Sequence, residues 1–79
     1  MVPERSQPGF EVMFLLADSD DRRAGALRAA LDRVGDAVAV AGDGTGTWTV
    51  HVHCADIGAA LEAGMAAGRP HGVLSLIHI

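Results

Sequence analysis

Apolar positions along this chain switch between a period of two and a period of three to four, and the switches mark its elements. Phe10, Val12, Phe14 and Leu16 alternate with Glu11, Met13 and Leu15, which predicts a strand over 10–16 with the first set on one face. Ala24, Leu27, Leu31 and Val34 then fall at helical spacing. Asp18-Ser19-Asp20-Asp21 ahead of them supplies N-cap candidates and acid for the positive end of a helix dipole, and Gly35 suits the stop. A short second strand is expected over 37–41. Gly42-Asp43-Gly44-Thr45-Gly46 turns the chain, and 47–53 returns antiparallel as a third strand. Asp56 caps a second helix with Ile57, Leu61 and Met65 directed inward, ending near Gly68 before Pro70. A last extended run covers 72–79. Residues 1–9, with Pro3, Ser6 and Pro8, read as a linker.

The order β-α-β-β-α-β is the split βαβ, or ferredoxin-like, unit: an α+β sandwich of a four-stranded antiparallel sheet with two helices on one face. Right-handed crossovers set the first and third strands side by side and antiparallel in the middle of the sheet. The helices then cover Val12, Phe14, Val38, Val40, Val50 and Val52 and leave the other face open. Along Trp48-Thr49-Val50-His51-Val52-His53, the two histidines point to that open face, about 7 Å apart. Antiparallel pairing brings Glu11, near the start of the first strand, opposite the end of the third. A carboxylate therefore comes within reach of both imidazoles, which can grip a metal ion or a phosphate.

Composition narrows the field. The 79 residues suffice for one small domain, and an apolar content of 49% is ample for a packed core. The net charge of −4, with all six basic residues Arg and only Arg22 and Arg23 adjoining, argues against a nucleic-acid surface. The single cysteine, Cys54, excludes an internal disulfide and fits a reducing, cytoplasmic setting. No apolar run approaches the roughly 20 residues of a membrane span, and no signal peptide precedes the first strand.

Glu11, His51 and His53 make a His₂Glu set, a known zinc ligand combination with an open fourth position. Two polar histidines facing solvent would produce the same spacing. Cys54 has the wrong parity to share their face and reads as a small buried hydrophobe. The glycine-rich segment 42–46 lacks the Walker Lys and a following helix, so it reads as a hairpin turn rather than a phosphate loop. Asp18, Asp20 and Asp21 are explained as helix-start acids without a magnesium ion. His71, beside Arg69 and Pro70, reads as a solvated loop histidine. No Ser-His-Asp set, paired catalytic carboxylates or aromatic nucleic-acid platform can be assembled.

Leu74-Ser75-Leu76-Ile77-His78-Ile79 matches the translation of a transposon adaptor used in preparing DNA libraries. Segment 74–79 therefore reads as an adaptor-derived scar. Being apolar and β-prone, it can still occupy the fourth strand position, and His78 is given no functional weight.

Several segments recur in order as they do in one family: Gly9-Phe10-Glu11-Val12-Met13-Phe14-Leu15-Leu16, Leu31 to Gly35 with Asp36, Trp48 to His53 followed by Asp56 and Gly58, and Gly68-Arg69-Pro70-His71. Over about 9–73, the chain resembles the middle domain of the catalytic subunit of bacterial fatty acid kinase, which is a dihydroxyacetone-kinase-like (DhaL-type) protein. The most specific element is His-Val-His followed by the Asp and Gly. The resemblance implies a parent enzyme with an N-terminal kinase domain binding ATP and magnesium, this middle domain, and a C-terminal domain. Such an enzyme phosphorylates a fatty acid held by a DegV-like carrier protein, giving acyl phosphate. It further implies a zinc-type site using the two histidines with a first-strand cysteine. That cysteine position matches Glu11, so the ligand set would be Glu11, His51 and His53, with a harder donor in place of thiolate. Cys54, Ala55 and Ile57 also depart from the Thr, Asp and Pro that relatives often carry.

His51 and His53 are thus the candidate catalytic residues: neutral imidazole to coordinate zinc, or imidazolium to stabilise charge on a transferring phosphoryl group. With no nucleotide-binding element, this domain alone is expected to lack kinase activity. Two other readings stand beside this one. One is a stand-alone ferredoxin-like module binding a metal or small ligand. The other is a pairing domain whose open face, with Met13 and Leu15 uncovered, buries itself against a second copy as a homodimer or against a neighbouring domain.

Overall fold

Alternation in the strands and capped amphipathic helices between them produce the expected order in the computed structural model, which describes residues 9–78. The elements are β1 (Gly9–Ala17), α1 (Asp21–Val34), β2 (Gly35–Gly42), β3 (Trp48–Cys54), α2 (Ile57–Ala67) and β4 (Arg69–His78). The sheet order is β2-β3-β1-β4 with antiparallel neighbours throughout, the arrangement expected of a ferredoxin-like α+β sandwich. Gly9 opens β1, and the rest of the linker expected over 1–9 lies outside the described residues.

The core forms between the covered face of the sheet and the two helices. Val12, Phe14 and Leu16 of β1, Val50 and Val52 of β3, Val40 of β2, and Ala24, Leu27 and Leu31 of α1 are buried together. The Asp20 side chain caps α1 by accepting from the Arg23 N–H, and Asp56 caps α2 by accepting from the Ala59 N–H.

Three local expectations need correction. Met65 does not point inward; it is 60% exposed. The buried stripe of α2 is Ala60, Gly64 and Ala67, because the helix lies close upon the Phe14 ring. A Cβ on Gly64 would stand 2.8 Å from Phe14 Cζ, so only small residues fit beneath. Gly35 ends α1 as expected, its N–H donating to the Leu31 carbonyl, but β2 also starts there, two residues before the strand expected over 37–41. Glycine is required at this junction because a Cβ would run into the His53 carbonyl oxygen and lie 2.9 Å from Cys54 Cβ. Finally, β4 begins at Arg69, so His71 is a strand residue opposite Leu15 rather than a loop residue. Segment 74–79 occupies the fourth strand as far as residue 78, where Leu74, Leu76 and Ile77 remain largely exposed.

Candidate functional site

The open face is built by the odd-numbered residues of β1 and β3. Glu11 pairs with His53, Met13 with His51 and Leu15 with Thr49. Residues directly opposite on antiparallel strands have Cβ atoms about 4.5–5.5 Å apart, and diagonal neighbours lie about 7–8 Å apart. Glu11 is therefore the direct neighbour of His53 and the diagonal neighbour of His51. The carboxylate and both imidazoles share one surface, as topology predicted.

His53 is the most constrained of the three. Its Nδ1 lies 3.2 Å from Asp36 Oδ1 of β2, and its side chain is only 16% exposed while that of Asp36 is 66% exposed. On the β1 side, a Cβ built on Gly9 would stand 3.2 Å from His53 Nε2 and 3.3 Å from Cε1. The imidazole thus lies over the one residue of β1 that has no side chain. Asp36 was not singled out in the sequence because the second strand was expected only over 37–41, whereas β2 runs Gly35–Gly42, and alternation back from Val38 and Val40 would have set it on the covered face. The only sequence signal for it is the Gly35-Asp36 pair at the start of the strand.

The donor types of Glu11, His51 and His53 suit zinc, and the shared face would allow it. Among the described residues, however, no three His, Cys, Asp or Glu side chains stand gathered around one point. Cys54 takes no part. It pairs with Phe10 on the covered face, is buried, and directs its Sγ to the Asp56 carbonyl at 3.6 Å. Burial pushes its thiol above the usual range.

The other candidates resolve into structural roles. Asp18 pairs with Arg69 at 3.2 Å, joining the end of β1 to the start of β4. Asp20 accepts from the Arg23 backbone N–H and also pairs with its guanidinium at 3.0 Å, which holds its carboxyl below the usual range. Asp43 accepts from the Thr45 backbone N–H and hydroxyl and pins the hairpin turn, and these bonds lower its pKa. A cleft of about 560 Å³ lies between that turn and the start of α1, lined by Ser19, Asp20, Asp21, Trp48 and three glycines. Its ionisable lining is acidic, so it is unsuited to phosphate. His71 is exposed near the end of β1 away from Glu11.

No curated protein and no solved structure matches the chain closely enough to count. A family model does: that of the FakA-like middle domain of fatty acid kinase, over residues 7–74. The match takes in the whole of β1, both helices and the strand that carries the histidines, and ends within β4. On that span, the chain belongs to the FakA-like middle-domain family of the fatty acid kinases.

Proposed function

We propose that this chain serves as the middle domain within a fatty acid kinase and that His51 and His53 are its working residues. In this reading a neighbouring kinase domain holds ATP and magnesium, and a DegV-like carrier presents the fatty acid in the cytoplasm. No helix among the described residues is long and apolar enough to cross a membrane. The observation that carries the proposal is the pairing of Glu11 with His53, which sets a carboxylate and two imidazoles on the sheet face away from the helices. Such a surface suits contact with a metal ion or a transferred phosphate.

Glu11, His51 and His53 would be the ligands of a zinc ion. Because no three donors stand gathered among the described residues, binding requires Glu11 and His51 to turn toward His53, which Asp36 holds in place. Bound zinc would supply a Lewis acid. The chain's own part is to hold imidazole nitrogen next to carboxylate and, through Met13 and Leu15, to offer an apolar border for a neighbouring domain or a second copy.

Substitution of His51 or His53 by Ala in the intact kinase is expected to depress acyl phosphate formation at least tenfold. Unchanged turnover would discard the assignment. Elemental analysis of the purified domain tests the metal separately: zinc near one equivalent is expected, lost in His51→Ala, and no zinc at all would remove the metal from the proposal.

A further inference from the structure

The position of Asp36 is the product of an irregularity in β2. Val40 pairs with Val50 on the covered face, and Ala39 pairs with His51 on the open face. Strict alternation would carry Val38 to the covered face, Ala37 to the open face and Asp36 back beneath the helices. The pairing instead jumps from Ala39–His51 to Asp36–His53, so β2 takes three steps where β3 takes two. Ala37 absorbs the extra residue with φ at 53°, a left-handed conformation that non-glycine residues rarely adopt. One inserted residue reverses the parity of everything before it. Asp36 therefore emerges beside His53 on the open face rather than inside the core.

A carboxylate can only accept, so the Nδ1 atom 3.2 Å from Asp36 Oδ1 carries the proton, and the lone pair of the neutral ring belongs to Nε2. Gly9 leaves room for the Nε2 edge of the ring over β1. Glu11 lies on the other neighbouring strand, directly across from His53. We infer that Asp36 is a positioning residue: delivered by the bulge at Ala37, it locks His53 in the Nδ1–H tautomer and turns Nε2, the acceptor nitrogen a metal ion would meet, toward β1. The inference rests on the reading of the histidine pair as a working site, but its central test does not.

That test is nitrogen NMR of the imidazoles in the 79-residue chain, recorded two units above the ordinary histidine value of about 6.5. The native chain should show His53 protonated at Nδ1 and bare at Nε2. Asp36→Ala should move the proton toward Nε2, and Asp36→Glu should restore the native pattern. Asp36 is exposed, so the amide spectra should stay dispersed. Native His53 protonated at Nε2, or a tautomer unaltered by Asp36→Ala, would overturn the inference. Deleting Ala37 should give the same tautomer change, and a retained Nδ1–H signal there would remove the bulge from the argument. Zinc titration of the same samples separates the two proposals. Native chain that binds no zinc yet shows the Asp36-dependent tautomer retains the positioning role and loses the metal. Where zinc binds, Asp36→Ala should weaken it about tenfold, and equal affinity would overturn the positioning role.

Discussion

The two faces of this sheet are made from the same strands and answer to different demands. On the covered face, Val12, Phe14, Leu16, Val50 and Val52 are sealed by α1 and α2. On the open face, Glu11, Met13, His51 and His53 interleave with them residue by residue. A period of two thus divides one stretch of backbone into a folding half and a chemical half. The folding half is held by volume, the chemical half by cross-strand pairing and, at His53, by contacts that include the Asp36 carboxylate. A substitution on either face should therefore leave the other face's property nearly intact.

The strongest way to break that separation is at Phe14. Truncation to Ala removes the ring on which α2 rests and should cost about 3–5 kcal/mol in denaturant unfolding, enough to leave much of so small a domain unfolded. A loss under about 1 kcal/mol would mean that the contact between Phe14 and Gly64 does not anchor the helix.

Gly64→Ala sharpens the comparison because two effects oppose each other. Ala favours a helix interior by about 1 kcal/mol, yet its Cβ would fall 2.8 Å from the Phe14 ring. Overpacking typically costs about 1–3 kcal/mol, so net destabilisation is expected. Pairing it with Phe14→Leu should recover part of the propensity gain. Simple stabilisation by Gly64→Ala alone would contradict the close approach.

A smaller effect lies at the start of α1. The Asp20 carboxyl is lowered first by its bond from the Arg23 backbone and then by the Arg23 side chain. A lowered folded-state value means that the cap's contribution is fully present above the ordinary carboxylate range and fades as pH falls through the lowered value. Asp20→Asn should flatten that acid limb in pH-dependent unfolding. An acid limb identical to the native one would show that the cap carries no linkage.

The smallest effect on stability belongs to the open face. His51→Ala should change unfolding free energy by no more than about 0.5 kcal/mol, as for surface substitutions generally, while abolishing zinc uptake by the domain. A loss of several kcal/mol would place His51 in the folding half after all.

How much of this was legible depended on how strictly each segment kept its period. β1 and β3 alternate without interruption, so their faces, the Glu11–His53 neighbourhood and the burial of Cys54 could be read directly. α2 was less legible. Ile57 and Leu61 pack against the core as their spacing suggested, but Met65 does not, because the small alanines and glycines around it let the helix turn. Its rotation was set by the size of Phe14 across the interface. β2 concealed the most, because nothing about Ala37 announces a left-handed residue and regular alternation hides Asp36 in the core.

The order of the residues by itself determined the succession of strands and helices, the capping aspartates and the histidine-bearing face, because those follow from local periodicity and hydrogen-bonding preference. Only the tertiary structure decided which small residues of α2 meet the sheet, where β2 takes an extra residue, and which acid holds His53. Each of those depends on the distance between elements remote in the chain, and neither spacing nor composition encodes that distance.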